Sequence, residues 1–500
     1  MDAWTATYGA GLLAAVVLLP FGAMLLGLML GGRWAQHLVF ALLPLQLALS
    51  ATVAWFWLRG DMLVYLLGGW SPPLGIALRA DGMAVAMLLA VLVVVGGIAV
   101  YALGDFSMPR GKAQARAPLT FWLLLLAVWG SLNLAFVSGD LFTLYVALEL
   151  LTFAAVPLVC LDGRGDTLRA ALRYLLFALC GSVLYLLGVV LLYGGYGTLD
   201  IALLADAAQA GPIVWAALAL MTAGLAAKTA LFPLHIWLPP AHAGAPAAAS
   251  ALLSGLVIKG SWFLVVRLWF DALPGVVTLP AAQWLGAFGA GAILFGNAVA
   301  LRQARLKLLV AYSTVAQIGY LFLIFPLAFD AAAGRIADGL ALAGGLMHAV
   351  SHATAKSAMF MAAGTIYSAL GHDRIADFAG LARALPMTVL AFTLGGISLV
   401  GLPPAGGFLA KWWLLSAAAD SGQWWWAFVL LLGGLLSAAY LYNVVSRALR
   451  LPDAPLAPCA PVARCSELAA LALALVSVLL GAVAWFDVRW LLFGRQGLGS

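Results

Sequence analysis

Residues 224–260 read GLAAKTALFPLHIWLPPAHAGAPAAASALLSGLVIKG. Two apolar segments in this stretch carry one lysine each, Lys228 and Lys259, and Pro233, Pro239, Pro240 and Pro246 lie between them. Proline inside a helix removes a backbone donor and clashes with the preceding turn, so the first segment must break soon after Lys228. Unwound backbone at membrane depth is tolerated only where protein or a water-filled cavity satisfies it. Discontinuous helices of this kind hold ion sites in secondary transporters. His235 and His242 flank the break. The bland alternative is a proline kink with snorkelling polar ends. Two lysines and two histidines around one break weigh against it.

The rest of the chain supplies a membrane setting. It is 65% hydrophobic and 9% charged, with mean hydropathy +1.07, where soluble domains run about 45–50% apolar and about 25% charged. Fourteen apolar runs, from 10–31 to 467–491, are long enough to span a bilayer. The expected fold is an all-α polytopic membrane protein of about 14 transmembrane helices, with no soluble domain. The start, MDAWTATYGA, has no basic region, so the first run reads as a retained helix rather than a cleaved signal.

Six lysines and two glutamates occur in 500 residues. Lys228, Lys259, Lys356, Lys411 and Glu149 all sit inside apolar runs. A charge at the bilayer centre costs ~2.5–3.5 kcal/mol, and the usual reason for accepting that cost is an ion or proton path. The other 21 Lys and Arg lie in loops or at helix ends, which explains the net charge of +6 without invoking nucleic acid. With fourteen spans, fifteen of them, including Arg110, Lys112, Arg116, Arg302, Arg305 and Lys307, fall on one side. Six, Arg59, Arg79, Arg267, Arg335, Arg489 and Arg495, fall on the side of the termini. The positive-inside rule then puts both termini outside and the 105–118 loop inside.

A second break lies in GLPPAGGFLAK, 401–411, where Pro403–Pro404 and Gly406–Gly407 precede Lys411. Two broken spans in different halves, each with its own lysine, suggest an internal repeat. Between the breaks, His348, His352 and Lys356 are spaced by four, so they share a helix face over about 12 Å. Histidine titrates near neutrality, which suits a proton relay. Glu149 is the one carboxylate placed near a bilayer centre. Paired with a lysine, it would hold both charges. Separation would favour a neutral lysine and release a proton onward. Contact between Glu149 and Lys228 is for the fold to decide.

Redox chemistry has no ligands here. Cys160, Cys180, Cys459 and Cys465 show no CxxC or cluster spacing, and neither GxGxxG nor a Walker A sequence occurs. No cofactor or metal is expected on this chain. Any redox centre would belong to another subunit.

The motifs K228-TALFPLHIWLPPAHAGAP, SALLSGLVIK259, H348-AVSHATAK356-SAMFMAAG, DFAGLARALP (377–386), GLPPAGGFLAK411 and DLFTLYVALE149L span roughly 120–420. In them the chain resembles the antiporter-like proton-translocating subunits of respiratory complex I, Mrp cation/proton antiporters and membrane-bound hydrogenases. The resemblance implies fourteen helices with two inverted five-helix repeats, each containing a broken helix. It divides the chain into N-terminal helices 1–118, repeats 119–270 and 280–449, and a C-terminal helix in 450–500. It makes Glu149 similar to the fifth-helix glutamate and Lys228 to its seventh-helix partner. Lys259 is similar to the central eighth-helix lysine, and Lys411 to the twelfth-helix residue at the outer channel. CGS at 180–182 and the short C-terminus depart from the long-tailed members with a lateral helix. YGTLDIALLA leans toward the D component of Mrp antiporters, while AHAGAPAAASALLSG leans toward hydrogenase-type members.

Three function classes follow. The first is a proton-translocating or cation/proton antiport subunit of a multisubunit bacterial inner-membrane complex. It would move protons, with Na+ a candidate counter-ion, along Glu149, Lys228, His235, His242, Lys259, His348, His352, Lys356 and Lys411. The second is the membrane arm of an NADH:quinone oxidoreductase or hydrogenase, with the catalytic redox centre elsewhere. The third is an energising subunit for uptake of a solute such as inorganic carbon, with a large zinc-bearing partner.

Overall fold

Short polar side chains start several of the helices. Asp81, Asp140, Asp200 and Thr278 each accept a hydrogen bond from the backbone of the first turn that follows, satisfying donors that no helix can pair internally. Glycines in the left-handed region close others, at Gly197 (φ 67°) and Gly371 (φ 72°). In the computed structural model, which describes residues 10–108, 115–451 and 459–485, the chain is almost entirely helical.

The order begins with α1 (Ala10–Leu30), α2 (Gly32–Leu58), a hairpin of β1 (Leu63–Leu66) and β2 (Ala77–Ala80), then α3 (Gly82–Asp105). The hairpin is antiparallel, pairing Leu63 with Ala80 and Leu66 with Ala77. Next come α4 (Arg116–Val137), α5 (Leu141–Val159), α6 (Gly165–Tyr196), the short α7 (Ile201–Ala207) and α8 (Pro212–Thr229). Past the first break lie α9 (Leu238–Gly244), α10 (Ala247–Leu252) and α11 (Ile258–Val266). Two wide π turns, Leu253–Val257 and Arg267–Ala272, extend α10 and α11 into one run over Ala247–Ala272. The second half holds α12 (Leu279–Leu301), α13 (Leu306–Phe322), α14 (Ile324–Leu327), a two-residue hairpin of β3 (Phe329–Asp330) and β4 (Arg335–Ile336), and α15 (Leu340–Leu370). It ends with α16 (Leu381–Ala384), α17 (Pro386–Val400), α18 (Gly406–Asp420), α19 (Trp424–Leu449) and α20 (Arg464–Leu479).

Among the described residues, twelve helices are long and apolar enough to cross a membrane. Two of the fourteen apolar runs are not among them. One is α15, 31 residues carrying two histidines and a lysine; the other is split into α17 and α18, 15 residues each. Arg110, Lys112, Arg489 and Arg495, used in the charge count, lie outside the described residues.

Burial sorts the helices into shell and centre. On α6, Leu168, Leu172, Leu176, Val183, Leu187 and Val190 are all exposed at three-, four- and seven-residue steps, an outward apolar stripe suited to lipid. The run 247–272 is buried along its whole length, and α15 nearly so. These two helices, packed together, form the axis of the molecule.

Candidate functional site

The first break follows from the prolines. α8 ends at Ala230, the only described non-glycine residue with positive φ (59°), a conformation that strains an L side chain. The chain then turns through Leu231–Trp237 and resumes as α9. Lys228 therefore sits in the last turn of a half-helix. Its Nζ donates to Glu149 Oε1 at 2.8 Å and to Thr152 Oγ1 at 3.1 Å, both on α5. Ser182 on α6 donates to the same Glu149 oxygen. Glycine makes this convergence possible: a Cβ on Gly224 would lie 2.2 Å from Gly181 O, and one on Gly181 would lie 2.5 Å from Gly224 O. α6 and α8 thus touch backbone to backbone, which brings Ser182 and Lys228 to one carboxylate. The contact that the sequence left open is made.

Lys259, fully buried, lies near the middle of the 247–272 run. Its Nζ donates to Ser254 O, and Ser254 Oγ is 2.9 Å from Thr314 Oγ1 on α13. A hydroxyl pair, Thr229 Oγ1 to Ser261 Oγ at 3.0 Å, lies beside the two lysines in sequence.

The His348–His352–Lys356 ladder faces α13, which runs antiparallel to α15. His348 Nε2 is 3.1 Å from Gln317 O. Eight residues along, Lys356 Nζ donates to Val310 O at 3.0 Å and to Ser313 Oγ. Among the described residues neither ring nitrogen of His352 has a hydrogen-bond partner, and its ring centroid is 5.7 Å from that of His348. Lys259, Lys356 and Lys411 all act electrostatically on His352. The three residues share a face, as the four-residue spacing requires, with His352 between the other two.

The second break places Lys411 similarly. α17 ends at Gly401 (φ 88°), and Lys411, on α18, donates to Leu399 O at 2.7 Å and Val400 O at 3.1 Å. These are carbonyls that the end of α17 leaves without helical partners. A Cβ on Gly407 would fall 1.8 Å from Ser398 O, so only glycine lets the two half-helices overlap. Lys411 Nζ also lies 4.2 Å from the Tyr320 ring centroid, and that ring is 5.4 Å from His348. Tyr320 and Gln317 were not singled out in the sequence, since an aromatic or amide inside an apolar run carries no signal of its own.

Chemically, the line holds titratable groups of two kinds. Glu149 and Lys228 form an ion pair. Among the described residues, Lys259, Lys356 and Lys411 have no carboxylate partner and donate to carbonyl or hydroxyl oxygens, bonds that a neutral amine can also make. His242, fully buried with both ring nitrogens unpartnered, stacks on Phe360 at 4.7 Å, and Lys356, Lys307 and Lys259 act on it. His235 stands apart. Its ring neighbours are Phe232 and Phe295, and no lysine is among the groups that act on it.

Two buried cations escaped the sequence reading, because both sit at the edge of an apolar run. Arg267, assigned to the terminal-side loops, is buried at the end of the 247–272 run and pairs with Asp81 (2.6 Å) and Asp271 (2.8 Å). Lys307, counted with the opposite loops, is buried in the first turn of α13 and donates to Ala245 O at 3.1 Å.

The chain is 38% identical over 330 residues to NADH-quinone oxidoreductase subunit N of Desulforudis audaxviator, covering 65% of this chain and 64% of that protein. It is 32% identical over 298 residues to the D component of the Na(+)/H(+) antiporter of Alkalihalophilus pseudofirmus, covering 58% and 57%. These matches thus span a little under two thirds of the relatives' lengths. In fold it superposes on a chain of the Mrp complex from Dietzia sp. DQ12-45-1b with a TM-score of 0.87 at 24% identity, covering 98% of each. Residues 138–437, more than half of the chain and all of the site just described, match the family described as "NADH:quinone oxidoreductase/Mrp antiporter, TM". This multi-pass protein belongs to the NADH:quinone oxidoreductase/Mrp antiporter transmembrane family.

Proposed function

We propose that this chain is a proton-translocating subunit of a multisubunit membrane complex. The observation that carries the reading is the buried line from Glu149–Lys228 through Lys259 and the His348–His352–Lys356 ladder to Lys411, with ion pairing, among the described residues, at one end only. Charge moves along such a line when the Glu149–Lys228 pair opens and closes. The pair holds two charges when closed, and a separated, desolvated lysine passes its proton on. Residues 119–270 and 280–449 act as inverted repeats, each built round one broken helix, with 1–118 and 450–500 flanking them. The fifteen-to-six distribution of Lys and Arg supports termini on the outer side of a bacterial or archaeal cell membrane. Na+ as counter-ion belongs to the antiport version of this reading.

A second reading, the membrane arm of a quinone-linked redox pump, draws on the 38% identity to an NADH-quinone oxidoreductase subunit over 65% of the chain. Both readings use the same line, and the subunits that co-purify with this chain separate them. The line itself is tested by proton flux into proteoliposomes holding the complex purified through this chain. Lys259→Met leaves the complex assembled and lowers flux by roughly two orders of magnitude. Unchanged flux removes the central relay and the function built on it.

A further inference from the structure

Lys307 is a buried lysine that the relay described so far does not use. It lies on the side of the molecule that carries Arg164, Arg169, Arg173 and Arg305. These four, with Asp166 and Gly244, line a cavity of about 320 Å³ at the start of α6 and the end of α9. The residue after Gly244 is Ala245, whose carbonyl accepts from Lys307 Nζ at 3.1 Å. One peptide unit thus separates the arginine-lined cavity from a lysine only 7% exposed. Among the described residues Lys307 Nζ makes no ion pair, although Asp373 acts on it electrostatically. The Asp373 carboxylate accepts from Arg305 Nε at 2.9 Å and from the backbone N of Lys307 at 3.1 Å.

Inward from Lys307 the path is short. Val310, whose carbonyl accepts from Lys356 Nζ, is three residues along α13, and Ser313, the second partner of Lys356, is six along. These are steps of about 4.5 and 9 Å. Lys307 Nζ lies 5.3 Å from the Tyr367 ring, and His242, three residues before Ala245, stacks on Phe360, one turn from Lys356. His242 is fully buried, and among the described residues neither ring nitrogen has a hydrogen-bond partner, an arrangement that native proteins rarely leave without a reason.

We propose that Lys307 and His242 form the loading branch that carries protons from the arginine-lined cavity to Lys356 and Lys259; this rests on the relay function above. A hydronium in the cavity gives its proton to the neutral Lys307 amine. The ammonium passes it to the bare ring nitrogen of His242, and the imidazolium releases a proton from its other nitrogen to the Lys356 amine. No electrons move, and each donor is restored by the next proton. The charged groups that face Lys307 are Asp373, Asp105, Arg305 and Arg164. Around His242 they are Lys356, Lys307 and Lys259.

The test uses the complex purified through this chain in proteoliposomes, with initial proton flux measured against pH on the cavity side. Lys307→Met slows flux roughly 100-fold at neutral pH, and lowering the cavity-side pH recovers part of it because more hydronium replaces the lost relay. Lys307→Arg keeps the charge and the bond to Ala245 but does not release a proton, and is slowed to a similar degree. Lys307→His retains more flux than Lys307→Arg. Normal flux in Lys307→Arg overturns the proposal, because a purely structural cation would tolerate that change. If Lys307→Met fails to assemble, the Arg and His variants alone decide. Glu149→Ala, run in parallel, loses flux at every pH if the relay function holds. Wild-type flux in that control refutes the relay itself rather than the loading branch.

Discussion

Removing one partner of the Glu149–Lys228 pair gives the sharpest test of the switch. In Glu149→Ala, Lys228 Nζ keeps only Thr152 Oγ1 at 3.1 Å, and its side chain is 5% exposed. At 2.8 Å and an effective dielectric of ~20, the lost attraction is of order 6 kcal/mol. Desolvation of the two charges offsets much of that, and breaking a buried pair by deleting one partner typically costs ~3–5 kcal/mol. If the same ~3 kcal/mol reaches the proton-transfer step, flux falls roughly 100-fold, at ~1.36 kcal/mol per decade. Removing both charges, in Glu149→Ala with Lys228→Met, relieves the stranded cation. The double variant should regain roughly 2 kcal/mol of the lost stability as a coupling energy without regaining transport. Thermal inactivation of the detergent-solubilised complex reads the stability, and proteoliposome flux reads the transport. Wild-type flux in Glu149→Ala, or strictly additive stability losses in the cycle, would refute the reasoning.

Lys411 should behave as a relay group rather than a surface lysine. Lys411→Arg should block flux about as severely as Lys411→Ala, because Arg holds its proton, while Lys411→Glu should retain part of it; near-normal flux in the Arg variant discards the role. For topology, single cysteines at Arg302 and Arg59 should label from opposite sides of the membrane, with position 59 reached from outside. Outside labelling of position 302 reverses the orientation. Together with Lys259 and Lys307, these variants sample both breaks, the centre and the cavity side of the line.

The sequence by itself determined that the chain is helical and membrane-spanning, and where it breaks. Long apolar runs have one stable solution in a bilayer, and proline and glycine act locally, so Pro233 and Gly401 report on their own turns. It also exposed the His348–His352–Lys356 ladder, because helical spacing alone aligns i and i+4. The tertiary structure decided everything that depends on which helices touch. Ser182 and Lys228 meet Glu149 because Gly181 and Gly224 allow α6 and α8 to approach backbone to backbone. His235, adjacent to the first break in sequence, turns to Phe232 and Phe295 rather than to the lysines. Arg267 and Lys307 read as loop charges, because a cation next to an apolar run looks the same whether it snorkels to water or turns inward. Helix packing buried both. It gave Arg267 direct ion pairs to two aspartates, whereas Lys307 Nζ donates to a carbonyl and lies over a ring with no ion pair among the described residues, and from that difference follows the reading of one as a structural tie and the other as a place where a proton can stop.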